Sequence, residues 1–456
     1  MSKRNVKERL RIVAAVTFVV GAGVSAFFTL PLSAIGDPPV GPPVVSDELV
    51  QVLSTTIGGA EVLSTTRTVT HWFGSTLDPH NGITYGYNIV GADPNNCSGA
   101  ECDVRVTVDI IPLNVVVEGE SFNGSDVVNA TLASPVFSLN DYGLTPFATA
   151  AGDFPNFPAL IRGPGGVLSQ NDAGNQLQLE DATMRAQFNK TGSSSYHLRL
   201  NPVVHDAMTI VVPSGLGTVL QTARGVHFGD VSLQWWETRI QNLDNSLGYI
   251  DPTHLPLYVT KDVTNYFGNN PFACCESGFH GALEVPYHVG VTNPPNAQGN
   301  QSVQTFAWAS YLTPGLFAGA NGSNIWAAQD IHAVSHEIAE WADDPFNNNL
   351  VEPLSYPLLP QYGCVSNVLE TGDPVSYIGF AMGTNTYFQG LNPDGTQSAD
   401  GYYHPEDEAF LPWFMRVIPN NISEPTQSPS TNIGRYTLMG DLNPFPGFHQ
   451  PAAGCN

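Results

Sequence analysis

Positive charge is what this sequence has least of. Its 456 residues carry 16 Lys+Arg against 41 Asp+Glu, for a net charge of −25. Five of the sixteen (Lys3, Arg4, Lys7, Arg9 and Arg11) crowd the N-terminus, so the remainder is more acidic still. A field of that sign repels phosphate backbones and anionic lipid, which excludes nucleic acid as a partner. Long apolar runs are also scarce. Beyond the stretch from Ile12 to Leu30 no segment is apolar enough to span a bilayer. A third absence is local and matters more: His336-Glu337-Ile338-Ala339-Glu340 has the H-E pair of zinc peptidases but lacks their second histidine.

The basic N-terminus, its apolar run and the small residues at Ala26 and Ser33-Ala34 have the layout of an export signal, so residues 1–34 are expected to be removed. An uncleaved anchor is the alternative. A secreted, extracellular or cell-envelope location follows, with no membrane contact after cleavage. Six cysteines in an exported chain point to disulfides rather than metal thiolates. Cys97 and Cys102 bracket a short polar loop that a bridge would close. Adjacent Cys274 and Cys275 are expected to reach distant partners instead of each other.

Residues 35–66 read as a linker stiffened by Asp37-Pro38-Pro39 and Gly41-Pro42-Pro43. Residues 67–225 read as a β-rich domain. Val104, Val106, Val108 and Ile110 alternate with polar residues, Val115 to Val117 continue the run, and His197 to Val203 and Thr209 to Val212 follow. A sandwich or irregular β domain suits this pattern, with a short helix over Gln178 to Asn189. Residues 226–456 change character, with helices expected over Asp230 to Leu243 and from about Ile325 to Ala342. Leu255 to Val259 and Val303 to Tyr311 read as buried strands. The fold class is therefore α+β: a β-rich first half followed by a zincin-like α+β domain with one metal-binding helix. Trp72, Tyr85 and Tyr87 are expected in core packing, with a glycan platform as the rival role.

On that helix His332, His336, Glu340 and Asp343 fall on one stripe, and Ile331, Val334, Ile338 and Trp341 form an apolar stripe beside it. A catalytic zinc ion takes about three N or O ligands and leaves one position open. His336 and Glu340, one turn apart, supply two of them, and Glu337 on the neighbouring side suits a general base. The third comes from Glu370 or Asp373 in Leu369-Glu370-Thr371-Gly372-Asp373-Pro374, from His404 in Tyr402-Tyr403-His404-Pro405-Glu406, or from His332. His280 in Gly278-Phe279-His280-Gly281 is a candidate for metal binding or for stabilising an oxyanion. An all-oxygen shell from Glu340, Asp343, Asp344, Glu370 and Asp373 would suit calcium instead. The two aspartates are poorly placed at a helix C-terminus, where the dipole disfavours anions, unless a cation lies nearby or they cap the loop.

The element Ser335-His336-Glu337-Ile338-Ala339-Glu340, with its Asp344-Pro345 step, resembles one in the exordium-like (phosphate-induced) family of secreted proteins. That family similarly combines an upstream G-F-H-G, matched by Gly278 to Gly281, with H-E-x-A-E and a later acidic G-D segment. Glu340-Trp341-x-x-Asp344-Pro345-Phe346, Leu369-Glu370-x-Gly372-Asp373-Pro374 and Tyr403-His404-Pro405 are together similar to segments of uncharacterised secreted bacterial proteins. The likeness runs from about residue 250 to 415. The plant-type pattern has no counterpart of His332 or Trp341. The resemblance implies an extracellular fold with a shared site and carries no reaction with it. The residues themselves lead to a zinc-dependent hydrolase acting on a peptide or protein, with a cell-wall glycan as a further partner class. The alternative is a non-catalytic binding protein with structural calcium.

Overall fold

In a computed structural model the described residues are 61–62, 66–141, 176–188, 190, 195–222, 225–285, 302–313, 316, 328–357, 363–376, 378–380, 382–387, 401–417, 436–438, 447–448 and 451–455. The expected signal, and almost all of the expected linker, lie outside them.

The sheet that positions the site grows around β1 (Asp103–Val117). This strand alternates at first and from Ile110 is apolar except at Asn114, as suits a strand covered on both faces. On one side it pairs in parallel with β2 (His197–Val204) and then β3 (Met208–Val211). On the other it pairs in parallel with β4 (Leu255–Lys261). Beyond β4 lie β5 (Gly278–Val285) and β6 (Ser302–Tyr311): β6 runs parallel to β4, and β5 closes the edge antiparallel to β6. The first half is thus not a separate sandwich. One sheet draws strands from both sides of residue 225, so the expected boundary there would cut it. The pairing that decides this joins segments about 150 residues apart and leaves no local signature.

Each face of the sheet carries its own core. Phe306 and Trp308 of β6 pack with Tyr258, Phe279, Trp236 and Ile240 on one face. Trp236 and Ile240 belong to α2 (Leu233–Ser246), which starts after a strand that ends at Ser232, later than the expected Asp230. Ala307 and Ala309 of β6 face the other side with Leu257, Val259, Ile331, Val334, Ile338 and Trp341. Those last four lie along α3 (His332–Asp343) and at its entry, so the expected apolar stripe is the one that seats the helix. The small side chains of Ala307 and Ala309 let it come close. Trp341 Nε1 then donates to Thr305 Oγ1 at 2.9 Å, so the one polar atom of that ring is satisfied inside the core. α1 (Leu179–Gln187), within the range expected, packs alongside.

The motif helix starts at His332; the expected start near Ile325 lies outside the described residues, and the described residues just before the helix, from Ala328, are not helical. Asp330 has φ 44°, outside the helical region, and exchanges backbone hydrogen bonds with Leu312 at 2.6 and 3.0 Å, which ties the preceding segment to the end of β6. A smaller four-stranded sheet joins Gly217–Gln221, His227–Ser232, Val263–Tyr266 and Cys274–Glu276. Cys97 and Cys102 form the expected local bridge, and Cys364 pairs with Cys455. Those two bridges leave Cys274 and Cys275, which are joined to each other across a cis peptide bond, contrary to the expectation of distant partners. Trp72 packs edge-on against Tyr87 and Phe188, and Tyr85 and Tyr87 are buried, so core packing is the role these aromatics take.

A polar clamp fastens three of the parallel strands. Asp109 of β1 is 4% exposed and accepts from His205 Nε2, just after β2, at 2.7 Å. It also accepts from His254 Nδ1, just before β4, at 2.9 Å. Burial pushes the Asp109 carboxyl up, but bonds from His254 and His205 outweigh it and hold it below its ordinary 3.8. The same bond to Asp109, against the opposing effect of burial, raises His254 above 6.5. Stability from His254 is fully present below 6.5 and lost as pH rises through its raised value. Stability from Asp109 is present above 3.8 and lost as pH falls through its lowered value. The clamp is therefore strongest between those limits. The melting temperature of His254→Gln should fall further below wild type near pH 5.5 than near pH 8.5, values on either side of about 6.5. A deficit of equal size at both would show that the clamp does not titrate.

Candidate metal centre

Register decides which side of β5 meets the helix. Cross-strand partners share a face, and His280 lies opposite Ala307, one of the small residues beneath α3. Phe279 therefore joins the opposite core, while His280 and Gly278 face α3. This is the structural sense of Gly278-Phe279-His280-Gly281: one ring for each face, with a glycine where the helix comes nearest. At Gly278 an added Cβ would overlap the Glu337 carboxylate. Gly372, in the loop after β-strand Cys364–Val368, stands in the same relation to the His336 imidazole. The H-E pair of α3 thus lies between two backbone segments that must be glycine.

α3 is buried on every side, so its imidazoles and carboxylates form an interior cluster and not a wet stripe. His336 Nδ1 donates to Glu406 Oε2 at 2.9 Å. Its Nε2 lies 3.0 Å from Glu340 Oε1 and 3.9 Å from Asp373 Oδ1. His280 is anchored in the mirror sense. Its Nε2 donates to the Asp344 carbonyl at 3.1 Å, and its Nδ1 lies 3.6 Å from Glu337 Oε2 and 3.7 Å from Glu340 Oε2. A ring held by one nitrogen on an oxygen acceptor, with the other turned towards carboxylates, is how proteins prepare a histidine for a metal ion.

Glu340 sits at the centre. Its Oε1 also accepts from the backbone N–H groups of Gly372 and Asp373 at 3.2 and 3.3 Å, which pins the acidic loop to the helix. Asp373 Oδ2 accepts from Tyr356 at 2.6 Å. Glu370 lies on the other side of Glu340, and neither of its oxygens has a hydrogen-bond partner among the described residues. The donors fall into two groups whose ligand atoms lie within 4.8 Å of one another: His336, Glu340 and Asp373; and His280, Glu340 and Glu370. Both are wholly interior.

The electrostatics are those of a site short of positive charge. Burial, followed by the charge of Glu340, pushes Glu370 and Asp373 well above the ordinary carboxylate range. Burial alone would do the same to Glu340, but the His336 imidazole outweighs it and holds Glu340 low. His336 is raised despite burial, because Glu340 and Glu406 favour its charged form. Burial pushes His280 down to about 4, against the charge of Glu340, which favours its protonated form. Every ion pair described in the cluster runs to an imidazole. With Glu340 and Glu370 both ionised, Glu340 Oε2 has no donor, and only a proton shared with Glu370 would supply one.

Of the residues singled out in the sequence, the fold brings together His280, His336, Glu337, Glu340, Glu370 and Asp373. It takes two away. His332 Nε2 is bound to Glu406 Oε2 and to the Ser376 carbonyl, both at 3.0 Å, so His332 steadies Glu406 and lies in neither donor group. His404 turns to Asp330, with Nδ1 to Oδ2 at 2.7 Å and its backbone N–H to Oδ1 at 2.8 Å. From the same segment it is Glu406, two residues on, that reaches His336, and its own N–H donates to Ser335 Oγ at 3.0 Å. Nor do Asp343 and Asp344 join an all-oxygen shell. Asp343 Oδ1 accepts from Gln187 at 2.7 Å, and Asp344 accepts from the backbone of Asn348 and Asn349, the loop-capping role. Burial pushes these two up to about 7 and about 8. Glu276, buried two residues before Gly278 with neither oxygen bonded among the described residues, was not singled out. An acidic residue in a buried strand just ahead of Gly278-Phe279-His280 is the signal that marks it.

Comparison of the chain with protein-family models, with curated proteins and with solved structures finds no match.

The two glycines give a test of the geometry. Gly372 has φ −81°, which alanine tolerates, so only the side-chain overlap opposes substitution. If the cluster holds a metal ion, Gly372→Ala should weaken its binding of added zinc roughly 10–100-fold, the usual cost of misorienting a ligand. Gly278→Ala should move Glu337 and leave zinc affinity nearer to wild type. Gly248→Ala, where a Cβ meets open space, serves as control. Competition against a zinc chelator measures all three. Unchanged affinity in Gly372→Ala would refute the placement of His336.

Proposed function

We propose that the protein is a zinc-dependent hydrolase of zincin-like type that cleaves peptide bonds in a peptide or protein substrate outside the cytoplasm. The observation that carries this reading is His336: Nδ1 is fastened to Glu406, and Nε2 faces Glu340 and Asp373, with Glu337 the next residue on the helix. These three donors match the N and O ligands a catalytic zinc takes. Their separations of 3.0 and 3.9 Å suit atoms each roughly 2.0–2.2 Å from one ion. Two imidazoles among the donors favour zinc over calcium. The engagement of Asp343 and Asp344 elsewhere removes two oxygens from the calcium alternative. The mixed sheet with an antiparallel edge strand, β5, against the H-E-x-x-E helix also supports a zincin-like arrangement. Disulfides at Cys97–Cys102 and Cys364–Cys455 suit an oxidising compartment. Interior packing of Trp72 and Tyr87 disfavours a glycan platform built from them.

When bound, the zinc ion supplies Lewis acidity, lowering the pKa of water and polarising a carbonyl. The chain's residues do the rest. Glu406 holds the His336 tautomer that leaves Nε2 as donor. Gly372 and Asp373 N–H groups orient Glu340. Glu337, fixed against Gly278, takes a proton from water at its carboxylate and returns it to the leaving amine. Burial of the α3 side chains keeps these groups in a low-dielectric surrounding, where each charge acts strongly.

Glu337→Gln keeps the shape of the side chain and removes its basicity. Its kcat on a quenched-fluorescence peptide library should fall about 10²–10⁴-fold, the usual share of a general base, with zinc content unchanged. Wild-type turnover by this variant would remove Glu337 from the role. A zinc-loaded wild type that cleaves no peptide in the library would sink the peptidase reading.

A further inference from the structure

Satisfying the first donor group leaves the second unsolved. If one ion takes His336, Glu340 Oε1 and Asp373, then His280 Nδ1 remains buried without a hydrogen-bond partner among the described residues, and Glu340 Oε2 and Glu370 have only a shared proton to satisfy them. Glu340 and His280 are fully buried and Glu370 is 3% exposed. Interior polar atoms in that condition cost on the order of 1–3 kcal/mol each, and more where charged. They are also aimed at one another, not scattered. His280 Nδ1 lies 3.7 Å from Glu340 Oε2, a separation two ligands of one ion adopt. The His280 ring is held from behind by Nε2–H donating to the Asp344 carbonyl, just as the His336 ring is held by Glu406.

The two groups share one residue. Glu340 turns Oε1 to His336 and Oε2 to His280, so its two oxygens address two different imidazoles. We infer that the centre holds two divalent transition-metal ions, with Glu340 as the bridging carboxylate, His336 and Asp373 completing one side and His280 and Glu370 the other. This rests on the metal-dependent reading above and deepens it. In peptide hydrolysis a pair of ions a few ångströms apart would hold the attacking water and polarise the carbonyl oxygen of the scissile bond, while the proton goes to the leaving amine. It also accounts for an acidic residue where a zinc peptidase helix has its second histidine. A carboxylate there offers one oxygen to each ion, whereas a neutral imidazole has a single free nitrogen lone pair and would serve one ion.

Metal content distinguishes the possibilities. The full chain, stripped by chelator and dialysed against zinc alone, should retain two zinc ions per chain by plasma mass spectrometry. His280→Ala and Glu370→Gln should each retain one, and Glu340→Gln should lose affinity at both positions. The wild type loaded with manganese should give the exchange-coupled spin-resonance spectrum of an ion pair, a readout that needs no variant to fold. One zinc per chain, with an isolated manganese signal, overturns the bridged pair and leaves the hydrolase reading standing. No stoichiometric zinc overturns both.

Discussion

The demand that governs this structure is the burial of carboxylates around two anchored imidazoles. Glu340, Glu370, Asp373 and Glu406 all lie in the interior. An ionised carboxylate taken out of water costs several kcal/mol unless partners replace its hydration. The surrounding chain is arranged as those partners. Backbone N–H groups of Gly372 and Asp373 close on Glu340, Tyr356 closes on Asp373, and Ser335, His332 and His336 hold the Glu406 segment. Two loops far apart in sequence are thereby fixed to one helix by the polar groups that form the site. The candidate site and the tertiary structure draw on the same interactions here.

Close approach is the second condition, and it accounts for residues that carry no chemistry. Ala307 and Ala309 thin the sheet beneath α3, while Gly278 and Gly372 yield the space taken by Glu337 and His336. The glycines of two motifs more than ninety residues apart therefore have one cause: each flanks half of the same H-E pair. Trp341, bonded to Thr305, then locks the helix in depth and rotation. A helix free to roll by even one residue would turn its ligand stripe towards the sheet.

Local pattern made much of this legible. The i, i+4 spacing of His336 and Glu340, the apolar stripe from Ile331 to Trp341, the strands around Val108, Leu257 and Ala307 and the helix near Leu179 depend on periodicities of 3.6 and 2, which a short window displays. The bridge closed by Cys97 and Cys102 was legible for the same reason, since five residues leave little choice of partner. What failed were questions of long-range pairing. Parallel strands from both halves form one sheet because β1 pairs with β2 on one side and β4 on the other, and no short window contains that information. Cys274 and Cys275 similarly depended on where Cys364 and Cys455 went.

By itself, the sequence determined that one helix would carry a histidine, a neighbouring glutamate and a carboxylate one turn on, with an acidic Gly-Asp loop and a second histidine to draw upon. Tertiary structure decided which of them meet. It chose Glu406 over His404 from one five-residue segment, made His332 a support, turned Asp343 and Asp344 away, and set His280 and His336 on opposite sides of Glu340. The reason is physical. Residue type and spacing fix what a side chain can donate or accept and which way a helix or strand presents it. Whether a donor finds its acceptor across seventy residues is settled only when the loops close on the core and each buried polar atom must find its partner.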